Sequence, residues 1–126
     1  MSERLDRCWR ALTRTEASTS PTAEDPRLRG RTYAIPFEDV WQALVALTGG
    51  RLEGWRVSTA DDQRGRLRAA APVLFGRATA VVEVEVGLDE NAQTRVDAYA
   101  RVLDRRRDFG ASVRCLDHLF TALDDA

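Results

Sequence analysis

The sequence contains no lysine: all 19 of its basic side chains are arginine, set against 20 carboxylates, for a formal net charge of -1 over 126 residues. That balance removes the basic excess on which attraction to nucleic acid or anionic lipid depends. An all-arginine complement offers planar bidentate donors to phosphate and carboxylate. Its spread over every segment, however, reads as the coding bias of a GC-rich bacterial genome. Cysteine is scarce too. Cys8 and Cys115 fall in opposite terminal segments, which excludes a disulfide framework and zinc-ligand spacing and points to a reducing compartment. No apolar run approaches the roughly 20 residues that span a bilayer, and residues 1–12 lack the apolar core of a signal peptide. The expectation is a cytoplasmic protein without a membrane span.

What is present is ordinary globular composition, 44% hydrophobic and 31% charged, at a length suited to one domain. Leu5, Trp9 and Leu12 recur at helical spacing, which predicts an N-terminal amphipathic helix over 1–16. Residues 17–30 mix Ser, Thr, Pro21, Pro26 and charge without periodicity and read as a linker. The domain proper is then 31–126. Tyr33 and Ile35 mark a first strand, and Pro36 leads into a helix with Val40, Trp41, Leu44, Val45 and Leu47 on its apolar side, stopped by Gly49 and Gly50. Trp55, Val57 and Thr59 share a strand face, Asp61 to Gly65 is a polar turn, and Leu67, Ala69 and Ala71 alternate on the returning strand, which Pro72 breaks. Two longer strands follow, with Ala78, Ala80, Val82, Val84 and Val86 facing inward on one and Val96, Ala98, Ala100 and Val102 on the other. Asp108 is placed to cap a last helix carrying Phe109, Val113, Leu116, Phe120 and Leu123. The fold class is α+β in two layers, β-α-β-β-β-β-α, with an antiparallel sheet covered on one face by helices, plus the N-terminal helix.

The C-terminal run R-R-D-F-G-A-S-V-R-C-L at 106–116, with Gly54 and Trp55 and the G-R-L-R-A strand at 65–69, resembles a bacterial family catalogued as domain of unknown function 1499. The resemblance covers residues 32–126. Asp108, Phe109, Gly110, Ala111, Arg114 and Leu116 match the family's ending, while Ser112 replaces the usual Asn. The family has no assigned activity, so the resemblance implies a fold and no chemistry.

No residue pattern is catalytic. Cys115 and His118 stand one turn apart, but the thiol lies at the edge of the apolar stripe and the imidazole towards the polar side. Asp61 with Asp62 belongs to a turn, Asp124 with Asp125 to a fraying helix end, and Glu83 with Glu85 to a strand face, where Arg95 and Arg101 opposite suggest cross-strand charge pairs. No metal cluster or glycine-rich phosphate loop occurs, so no cofactor and no enzymatic activity are expected. The candidate anion site is the arginine group Arg101, Arg105, Arg106, Arg107 and Arg114, where a strand meets a helix N-terminus. The interaction candidates are Leu5, Trp9, Leu12 and Tyr99, the last sharing a strand face with Arg101.

These features suit an interaction or assembly module that docks another chain or a copy of itself. The alternative is a binding protein for a small apolar or amphipathic ligand held between sheet and C-terminal helix, by analogy of element order with helix-grip domains. The order is also similar to that of TATA-box-binding domains, but Glu83, Glu85 and Asp97 on the open face argue against nucleic acid.

Overall fold

Residues 16–103 and 110–126 are described by a computed structural model. The sheet follows from alternation. Burial of every second residue runs through β4 (Arg66–Val73), β6 (Thr94–Val102) and most of β5 (Ala78–Leu88), so the period of two assigns one face to the core. With β3 (Arg56–Asp61) these strands form an antiparallel meander in the spatial order β3-β4-β5-β6. The far edge of β6 is covered by two short strands laid end to end, β1 (Glu16–Ser18) and β2 (Arg31–Tyr33).

Two helices cover the apolar face, giving the α+β arrangement expected from the element order. The first, α1 (Phe37–Ala46), buries Val40, Trp41 and Leu44. It widens into a turn at residues 47–51, where Gly50 takes a φ of 137° that side chains resist. The second, α2 (Ala111–Asp124), returns over β6 and β4. Leu44, Leu116, Leu119 and Phe120 have no exposed surface, and neither do Ala69, Ala80 and Ala100 on the sheet. Small residues there let the helices sit close to the strands. No helix among the described residues is long and apolar enough to cross a membrane.

Several local expectations are corrected. Of the expected N-terminal helix only Glu16 is described, and it belongs to β1; Leu5, Trp9 and Leu12 lie outside the described residues. The 17–30 segment, read as a linker from its Ser, Thr and Pro content, is held to the sheet edge. Ala17 is buried, and the Thr19 hydroxyl donates to Asp97 Oδ1 at 2.7 Å and accepts from the Ala98 amide at 2.9 Å. Arg95 holds the same segment, donating to Asp97 and to the Arg29 carbonyl. The first strand stops at Tyr33, leaving Ile35 47% exposed, with its carbonyl accepting the Thr94 hydroxyl at 2.6 Å.

Pro72 does not break β4, which runs on to Val73. Pairing of β3 with β4 reaches only as far as Ala70, so no β3 residue opposite Pro72 calls for the N–H that proline lacks. A register shift between Val57 and Thr59 sets Thr59 opposite Arg68, and this bulge turns Thr59 to the open face. The described part of the last helix starts at Ala111 behind Gly110, whose φ is 81°, whereas Asp108, the expected cap, lies outside the described residues. Asp124, expected to fray, is tied down: it accepts from Arg31 Nε at 3.1 Å and Tyr33 Oη at 2.6 Å, and the Arg31 guanidinium sits 5.2 Å from the Phe120 ring centre. The strand pattern hid this clamp, because Arg31 and Tyr33 fall on the inner face of an edge strand beyond the end of the sheet's own core.

Candidate functional site

The face of the sheet opposite the helices carries the polar halves of the strands. Register sets them in rows across it. Arg66, Glu85 and Asp97 form one row, and Arg68, Glu83, Tyr99 and Ser18 form the next. The rows line a concavity of about 550 Å³ that also takes in Thr19, Thr59 and Asp61. Its two basic groups, Arg66 and Arg68, both lie on β4 and its acidic groups on β3, β5 and β6, and Glu83 is paired with Arg68. Its ion partner is therefore on β4, not β6, because register sets Tyr99 opposite Glu83 and Gly87 opposite Arg95. The Tyr99 hydroxyl, an expected interaction group, donates to Glu16 Oε2 at 2.8 Å.

The arginine candidates separate by layer. Arg101 is exposed on the open face of β6 opposite Glu16, while Arg114 is exposed on α2 in the helical layer. Arg105, Arg106 and Arg107 lie outside the described residues. Among the described residues no group of His, Cys, Asp and Glu has a metal-holding arrangement.

Cys115 is buried in α2 while His118 is exposed. Burial pushes the thiol up to about 12 from its ordinary 9.0, so it carries almost no thiolate at neutral pH. Between those two values the unfolded chain releases the proton and the native chain keeps it. The stability this confers is complete below about pH 9 and is lost as pH rises towards about 12. In a Cys8→Ser background, iodoacetamide at about pH 8 is expected to alkylate native Cys115 at least roughly 100-fold more slowly than in urea. Similar rates in the two states would mean that α2 does not shield the thiol.

The feature that sequence reasoning missed is the turn between β4 and β5. Leu74, Phe75 and Gly76 take consecutive φ values of 52°, 58° and 80°, closed by bonds from the Gly76 amide to the Val73 carbonyl and from the Arg77 amide to the Leu74 carbonyl, both 3.1 Å. Left-handed backbone costs a side-chain-bearing residue about 1–2 kcal/mol, and bulky residues rarely adopt it. Its effect is directional. Leu74 folds back against the core, whereas Phe75 is 104% exposed. The only signal in the sequence was an apolar V-L-F ahead of Gly76, with no Asn or Asp to announce a turn.

No protein-family model, curated protein or solved structure matches the chain.

Proposed function

We propose that the chain is a non-enzymatic interaction module that docks a protein partner through the β4–β5 hairpin tip. The observation that carries this reading is Phe75, a large aromatic side chain held wholly in solvent by a backbone conformation it would not choose. Strained conformations of this kind persist where a site uses them, and aromatic anchors dominate protein interfaces. Leu103, 39% exposed, stands nearby, since its amide donates to the Thr79 carbonyl on β5 at 2.9 Å. A ligand between sheet and α2 draws less support, because Leu116, Leu119 and Phe120 have no exposed surface.

The test is photo-cross-linking in the native host, with p-benzoylphenylalanine in place of Phe75 and, as control, in place of His118, exposed midway along α2 and away from both ends of the sheet. A covalent protein adduct specific to position 75 is expected. Adducts at neither position, or equally at both, would overturn the reading.

A further inference from the structure

Six charged side chains line the concavity on the open face of the sheet, and the protein itself engages four of them. Glu83 is ion-paired with Arg68. Asp97 accepts from Arg95 and from the Thr19 hydroxyl. Asp61 accepts the amides of Gln63 and Arg64 on Oδ1, both at 3.2 Å, and has Arg64 Nε 3.9 Å from Oδ2. Two groups remain. Among the described residues, neither the Arg66 guanidinium nor the Glu85 carboxylate has a hydrogen bond or an ion pair.

Arg66 and Glu85 stand directly opposite each other on β4 and β5, two residues along the ladder from Arg68 and Glu83. The two pairs share residue types, strands and register, yet Arg68 and Glu83 close into an ion pair whereas Arg66 and Glu85 do not. A donor fork and a carboxylate therefore line one concavity on neighbouring strands with their hydrogen-bonding capacity unused. Directly opposite residues have Cβ atoms about 5 Å apart, near enough for both side chains to reach a carboxylate and an ammonium carried on a single carbon.

We infer that the open-face concavity binds a neutral α-amino acid, with Arg66 donating to its carboxylate and Glu85 accepting from its ammonium. A ligand of single charge would leave one of the two groups unanswered, and a charged side chain would meet carboxylates and an Arg68 that are already engaged. Ser18 on β1 and Thr59 on β3 bring hydroxyls to the two flanks, and the volume of about 550 Å³ leaves room for a side chain, within the usual span of small-molecule sites. Exposed ion pairs contribute little to stability, so a ligand that comes between Arg66 and Glu85 displaces no strong contact. Phe75 is not part of this lining, and the site is independent of the protein docking proposed for the hairpin tip.

Amide chemical-shift titration of the full chain with L-glutamine, L-leucine and L-phenylalanine tests this. At least one of the three is expected to move the Arg66 and Glu85 signals saturably, with a dissociation constant of about 1 mM or tighter. Its N-acetyl derivative, which has no ammonium, and its amide, which has no carboxylate, are each expected to bind at least about ten-fold more weakly. Arg66 and Glu85 are both exposed, so Arg66→Gln and Glu85→Gln leave the fold intact. Each variant is expected to lose at least about ten-fold in affinity, and the losses differ in kind. Arg66→Gln no longer distinguishes the amino acid from its amide, and Glu85→Gln no longer distinguishes it from the N-acetyl form. Phe75→Ser is expected to bind as wild type does. The site is overturned by the absence of saturable shifts with all three amino acids, by blocked forms that bind as well as the amino acid, or by variants at 66 and 85 that keep full affinity. Loss of binding in Phe75→Ser would move the ligand to the hairpin tip and overturn it equally.

Discussion

Phe120→Ala is expected to lower stability by about 3–5 kcal/mol, read as a shift of the urea midpoint with an unchanged slope. Phe120 has no exposed surface and sits among the buried residues of α2, so truncation removes its transfer free energy and leaves a cavity that a close-packed helix and sheet refill only in part. A second contribution is specific to this site. Arg31 lies over the ring while its Nε donates to Asp124, so removing the ring also takes away the surface on which the guanidinium rests. A double-mutant cycle with Arg31→Met is expected to return a coupling of about 0.5–1 kcal/mol. A loss below about 1.5 kcal/mol for Phe120→Ala, small beside the usual range, would mean that α2 is not docked as described.

Gly65→Ala is the second large effect, at about 2–4 kcal/mol. Gly65 ends the β3–β4 turn with a φ of 67°, and its carbonyl accepts the Val86 amide at 2.7 Å. A methyl group there would run into the Val86 carbonyl oxygen and lie 3.1 Å from the Phe37 ring. The oxygen is backbone in a buried ladder and has little freedom to move. Gly76→Ala separates the two causes, since Gly76 has a similar φ of 80° with nothing within 4 Å of the added carbon. It is expected to cost about 1–2 kcal/mol from backbone conformation alone. Equal losses at the two positions would show that the clash at Gly65 relaxes freely.

The elements legible in the sequence are those that bury one face against the core. β5 and β6 alternate Val and Ala without interruption, and α2 repeats its apolar residues every three or four positions, so period alone identifies them. Features that depend on a neighbour's register are not legible. Thr59 continues the alternation of Trp55 and Val57, and only the bulge opposite β4 turns it outward. Glu83 offers its charge to either adjacent strand, and register decides for Arg68. β1 is shorter than any periodicity, and its backbone bonds to β6 are specified by where the partner edge lies. The candidate site is illegible for a related reason. Phe75 in sequence is one apolar residue among several, and its exposure follows from φ angles that its residue type opposes.

The divided edge strand has a consequence for the order in which the chain becomes a fold. β3, β4, β5 and β6 pair with sequence neighbours and can form by successive hairpins, whereas Glu16 must find Arg101 and Arg31 must find Val96. Non-local pairings of this kind are slow because the loop they close must be ordered before any contact rewards it. During synthesis the first described strand waits unpaired until almost all of the chain has emerged, and β6, once made, presents a bare edge until β1 and β2 arrive. That interval is when strangers can add to the sheet. Arg95 and Asp97, which hold the 17–30 segment to that edge, also place charge on β6 itself and so discourage another strand from pairing there first.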